Sequence, residues 1–122
     1  MKKTKIKWLR KPQKRDYPAA RSYLTLLLQP KMAKAVVEKL KRAELAEFAA
    51  KDIFRASRLP LLGTSNGHVE KYRQLIILRE PLSPLLLYRD VAHGKLVIAD
   101  GYHRLCAVYT FDEYAVIPCQ II

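Results

Sequence analysis

The most restrictive stretch of this chain is Leu85-Leu86-Leu87-Tyr88, set between Pro84 and a charged turn. It reads as a compact strand, too apolar to leave both faces in water, and so belongs in a sheet with a buried face. Residues 90–94 then make a turn, and residues 95–99 return as a second strand. Upstream, residues 45–49 form a short strand, Lys51-Asp52-Ile53-Phe54 a turn, and residues 59–63 a loop. Thr64, Ser65 and Asn66 offer N-caps for a helix over 68–78, whose apolar positions are Val69, Tyr72, Leu75 and Ile76. Pro81 and Pro84 end it. A helix over 105–110 and a strand over 117–122 complete the series, with Pro118 marking an edge strand or a strand start. The order β-α-β-β-α-β is that of an α+β domain.

Two helices precede that domain. Asp16 and Pro18 read as N-cap and first-turn proline of a helix reaching about residue 28, with Tyr23, Leu24, Leu27 and Leu28 on its apolar face. Pro30 breaks it and starts a second helix over 31–42, where Met32, Val36, Val37 and Leu40 recur at helical spacing. Residues 1–44 thus read as a basic N-terminal extension carrying a helical hairpin, and 45–122 as the domain proper.

Charge divides at the same place. Residues 1–42 hold 14 Lys+Arg against Asp16 and Glu38, a net +12, while 43–122 hold nine of each sign. Lys2, Lys3, Lys5, Lys7, Arg10, Lys11, Lys14 and Arg15 all come before the first acid. Such a run attracts polyanions, whether nucleic acid, anionic lipid or an acidic partner, without a sequence code; the alternative is a solvated, partly disordered tail that aids solubility. Ile6, Trp8 and Leu9 interrupt it and could dock as a short extended piece with the lysines outside. With 122 residues, half of them hydrophobic, the chain suits one domain and is no disordered polymer. Its longest apolar run, residues 24–28, falls far short of the roughly 20 residues that span a membrane. The charged start lacks the apolar core of a signal peptide, and Cys106 and Cys119 form no framework. The expectation is a cytoplasmic protein that does not engage membranes.

One segment carries chemistry. In Asp100-Gly101-Tyr102-His103-Arg104, a strand runs through a glycine turn into a helix. Gly101 lets a ligand approach the backbone, and the helix start offers unpaired N–H groups and a positive dipole end. A phosphate there would meet those donors with Arg104 and His103 nearby, while Asp100 could accept a hydroxyl proton or hold a divalent cation such as Mg²⁺. The alternative is a capped turn, with Asp100 as N-cap and Arg104 on the surface. The three histidines show no Cys/His spacing for zinc.

The ordered set Phe48-Ala49-Ala50-Lys51-Asp52-Ile53, Val69 to Leu78, Ser83-Pro84-Leu85-Leu86-Leu87, Ile98 to Leu105 with Ala107, and Ile117-Pro118-Cys119-Gln120-Ile121 resembles the ParB/sulfiredoxin superfamily over about residues 45–122. The resemblance implies a small mixed sheet with packed helices and a nucleotide or phosphate pocket. Sulfiredoxins carry Gly-Gly-Cys-His-Arg at the turn; Tyr102 stands in the cysteine position here, which argues against sulfinic-acid reduction. ParB proteins carry Gly-x-Arg-Arg, where this chain has His103 for the first arginine. The turn is most similar to the Asp-Gly-His-His-Arg motif of free serine kinases. That resemblance implies phosphate bound by Gly101, Tyr102, His103 and Arg104, with Asp100 and His103 in catalytic roles. It also implies ATP, ADP or CTP as cofactor and a small phosphotransferase as the activity. Alignment with the sulfiredoxin middle helix adds His68 and Lys71 as phosphate contacts and places Leu75 where a threonine would be. Asp52 and Glu70 are the candidates for a second acid. The resemblance implies a nucleotide or phosphorylated small molecule as partner, and an enzyme this short must complete its site with few loops or borrow one from a second copy in a homo-oligomer. The alternative is a sequence-independent nucleic-acid-binding or regulatory module that uses the basic N-terminal region.

Overall fold

The computed structural model describes residues 5–122; Lys2 and Lys3, two of the expected nucleic-acid contacts, lie outside the described residues. The chain folds as a mixed four-stranded sheet between two helical layers. The elements are α1 (Asp16–Leu24), α2 (Pro30–Arg42), β1 (Ala46–Ala49), α3 (Ala50–Ser57), α4 (Gly67–Ile77), β2 (Leu85–Asp90), β3 (Lys95–Asp100), α5 (Tyr102–Phe111) and β4 (Val116–Ile121). Spatial order is β1-β4-β2-β3. β4 runs antiparallel to β1 and parallel to β2, and β2 and β3 form the antiparallel hairpin the sequence implies.

Leu85, Leu86 and Leu87 are all fully buried, because helices cover the sheet on both sides. Leu85 and Leu87 face α3, α4 and α5 with Ile53, Val69, Ile76, Leu105 and Ile117. Leu86 joins Val97 and Ala99 beneath the α1–α2 hairpin, against Leu24, Ala33, Val36, Val37 and Leu40. The hairpin therefore shares the sheet's core. Gln120 ties it down further: its Oε1 accepts from the Tyr17 hydroxyl at 2.6 Å, and its Nε2 donates to the Ala43 carbonyl at 2.9 Å. The start of the chain docks as well. Trp8 bridges Leu82, with Leu9 N–H donating to the Leu82 carbonyl at 2.8 Å and Leu82 N–H to that of Lys7 at 2.9 Å. Ile6 and Trp8 pack on the core, while Lys5, Lys7, Arg10, Lys11, Lys14 and Arg15 stay exposed.

Several elements differ from the sequence expectation. The first helix stops at Leu24, because the chain tightens there: Leu26 N–H bonds to Tyr23 O, Leu27 N–H to Leu24 O, and the Thr25 hydroxyl to Ser22 O. Tyr23 and Leu27 are consequently exposed, and Met32, next to the buried Ala33, is rotated off the buried stripe of α2. Residues 51–54 are no turn but part of α3, in which Ala50, Ile53 and Ser57 take one buried face. The helix after the glycine turn begins three residues earlier than expected, at Tyr102. With α3 added, the order after the hairpin is β-α-α-β-β-α-β. β4 is an internal strand, yet it accommodates Pro118 because pairing with β2 begins only at Cys119. Among the described residues no helix is long and apolar enough to cross a membrane.

Candidate functional site

The turn at Asp100–Arg104 lies where β3 ends and α5 begins. Gly101 sits there at φ +109°, and a Cβ on it would fall 2.7 Å from Leu85 Cγ and 2.9 Å from Arg104 Nη2. Only glycine fits that backbone and that space. Gly101 rather than Asp100 is the N-cap of α5, and no side chain caps the helix. The first-turn N–H groups of α5 therefore keep the positive end of its dipole uncovered by a side-chain acceptor.

Asp100 and Arg104 turn inward. Arg104 is 6% exposed, which corrects the surface placement offered by the capped-turn reading. Its Nη2 donates to Asp100 Oδ2 at 2.7 Å and to the Pro84 carbonyl at 3.3 Å. A second carboxylate faces the same nitrogen: Asp16 Oδ2, at 4.0 Å. Asp16 is the first residue of α1, not its N-cap, and is 4% exposed. Its Oδ2 accepts from the Ser83 hydroxyl and, at 3.1 Å, from the Gln13 N–H. The guanidinium thus joins α5, the end of β3 and the start of α1, and it lies 5.9 Å from the Tyr72 ring centroid. Burial alone would lower its pKa, but Asp100 and Asp16 outweigh that and hold it up. Burial pushes the Asp100 carboxyl above its ordinary value; Arg104 partly opposes this, as does Arg15 nearby. The direct 2.7 Å contact favours the ionised pair.

The histidines face the other way. His103, on the first turn of α5, meets His68, on the first turn of α4, with ring centroids 4.9 Å apart. Tyr102 flanks the pair at 5.5 Å from His103, its hydroxyl donating to the Pro60 carbonyl. Asn66 caps α4, its Oδ1 accepting from the N–H groups of His68 and Val69, as the cap residues in the sequence indicated. Lys71 follows His68 by three residues, on the same helical face, and is exposed. Burial, and next the His68 ring, lower the pKa of His103, favouring its neutral form.

The structure thus brings His68, His103 and Tyr102 together at two helix N-termini, and separately brings Asp100 and Arg104 to Asp16. Asp52 and Glu70 belong to neither group: Asp52 pairs with Lys51 at 3.0 Å, and Glu70 binds Gln74 and Arg73. Leu75 packs on the core. Cys106 is fully buried, and burial raises its thiol pKa. No group of three or more His, Cys, Asp or Glu side chains suited to a metal ion occurs among the described residues. Asp16 and Ser83 were not anticipated as partners of the turn. The signal available for Asp16 was its position as the first acid after eight cations.

Two clefts lie elsewhere. An apolar one of about 450 Å³ opens between α3 and the β2–β3 hairpin, floored by Phe48, Ile53, Leu87, Leu96 and Ile121. One of about 330 Å³ opens between α1 and α2 on the outer face of the hairpin. No family model, no curated protein and no solved structure matches this chain.

Proposed function

We propose that the chain is a nucleotide- or phosphate-binding protein of the ParB/sulfiredoxin type, which takes its ligand's phosphate where the first turns of α4 and α5 meet. The contact of His68 with His103 at 4.9 Å carries this reading, because it brings two positive helix ends to one place. α5 has no side-chain cap, so an incoming oxyanion finds backbone donors there, with His103, His68 and Lys71 around it. In this reading Arg104 is a brace, not a ligand: it holds Asp100 and Asp16 and fixes the turn from behind. Phosphoryl transfer requires Asp100 to exchange its Arg104 partner for an acceptor hydroxyl or a metal ion.

The test is calorimetric and thermal-shift titration with ATP, ADP and CTP, with and without Mg²⁺, on wild type and His103→Ala. A ligand bound to the native state at 100 times its Kd adds about 2.7 kcal/mol of stability. A nucleotide-dependent shift in the wild type that is lost in His103→Ala, with the unliganded melt little changed, is the expected result. No shift with any nucleotide, or a shift that survives in His103→Ala, overturns the assignment.

A further inference from the structure

Among residues 5–42 there are twelve Lys and Arg side chains and two acids. The fold removes one of those acids: Asp16 is buried in the Arg104 network. Glu38 is left as the exposed acid of the layer, and Lys41 already neutralises it at 3.3 Å. All twelve cations are exposed: six on the arm, and six on the hairpin, whose opposite side is sealed against β2 and β3. The layer is thus strongly basic, on a protein whose residues 43–122 carry no net charge.

That surface has a shaped element. Arg21 and Ser22 from α1, Thr25 just after it, and Lys34, Glu38 and Lys41 from α2 line the cleft of about 330 Å³ between the two helices. Lys34, Glu38 and Lys41 lie on one face of α2 at spacings of four and three residues. Among the described residues Arg21 and Lys34 form no ion pair with an acid, and both line the groove with Ser22. At about 1.5 Å per residue, the 13 residues of α2 extend about 20 Å. Duplex nucleic acid carries one phosphate charge per about 1.7 Å of axis, so about twelve lie along that length.

We propose that the outer face of the α1–α2 hairpin, with the arm at residues 5–15, binds the phosphate backbone of duplex nucleic acid without reading its sequence. Charge complementarity along the whole layer carries the assignment. Contacts from lysine and arginine to phosphate fix position but carry no base information. An anionic bilayer is the competing polyanion. The exposed large apolar residues of the layer, Tyr23, Leu26, Leu27 and Met32, lie in and directly beside the hairpin turn, whereas the cations run from Lys5 to Arg42.

The experiment is fluorescence anisotropy of the full chain with two short duplexes of unrelated sequence over a salt series. Both duplexes bind equally, and a footprint of about five phosphates gives a log–log salt slope near −4.5. That slope corresponds to a loss of about 500-fold in affinity between about 50 and 200 mM salt. Arg21→Ala with Lys34→Ala flattens the slope by about 1.8. The charge-matched pair Lys51→Ala with Arg55→Ala, on exposed α3 across the sheet, leaves it unchanged. Circular dichroism melts of both variants show that they fold. Absence of duplex binding at low salt, or equal losses in the two double variants, overturns the proposal. So does binding to phosphatidylserine–phosphatidylcholine vesicles without binding to either duplex, which would assign the face to a membrane.

Discussion

Replacing Arg104 by Met separates the two roles open to this side chain. Methionine retains much of the apolar stem but removes the charge. The Arg104 side chain is 7% exposed, with Asp100 at 2.7 Å and Asp16, 6% exposed, at 4.0 Å. Removing one partner of a buried ion pair costs about 3–5 kcal/mol, because the remaining charge is left uncompensated. The Asp100 side chain is 17% exposed and regains some solvation, which puts the expected cost near the lower end, about 3 kcal/mol. For a chain of this length each kcal/mol shifts Tm by about 4 °C, so the melt falls by about 12 °C. Urea and thermal unfolding at neutral pH without ligand read this directly. Neutralising the stranded acids as well, with Asp16→Asn and Asp100→Asn, should recover much of the loss, since a buried ionic set replaced together is often nearly neutral. If Arg104→Met costs less than about 1 kcal/mol and the two Asn changes add nothing, the guanidinium is solvated and the brace reading is wrong.

Gly101→Ala should cost roughly 1–3 kcal/mol from its left-handed backbone alone, and more from the overlap with Leu85; an unchanged denaturation midpoint would contradict the geometry. Leu40→Ala should cost about 2–5 kcal/mol and lower one cooperative transition for the whole chain. A separate early transition for the hairpin would show that it folds apart from the sheet. The pH dependence has a definite sign. His103 has a folded-state pKa below its ordinary 6.5, so the unfolded chain takes up the proton first. Stability from this group is complete above pH 6.5 and falls as the pH drops through the folded pKa; His103→Gln should flatten that part of the profile. Phosphate binding should run oppositely and tighten on acidification, because the oxyanion favours the protonated ring.

What could be read in the chain beforehand was governed by local interactions. The cap at Asn66, the buried run at Leu85–Leu87 and the glycine turn all follow from neighbouring residues, and each is present. α3 is legible in part: Ala50, Ile53, Phe54 and Ser57 stand at helical spacing, although residues 51–54, directly after a short strand, read as a turn. Asp16 is of another kind. Next to Pro18 it has the local marks of an N-cap, but its carboxylate is used by Ser83 and Arg104, 67 and 88 positions away in sequence. No periodicity encodes such a contact. The apolar cleft is equally illegible, since it is assembled from β1, α3, β2, β3 and β4 at once.

The same contact decides how the two halves of the chain relate. A basic arm with no anchor would sample many positions, and any polyanion it met would be held only loosely. Here the arm is pinned in the middle of its basic run by the Trp8–Leu82 bridge and at its end by Asp16 in the Arg104 network. Arg15, adjacent to that anchor, is close enough to Asp100 to oppose its rise in pKa. The basic run therefore ends beside the candidate phosphate turn, and the backbone between Trp8 and Asp16 is anchored at both of those residues before any ligand arrives. Preordering reduces the entropy cost of binding, which is the physical reason to pin a lysine-rich segment that would otherwise be solvated and mobile.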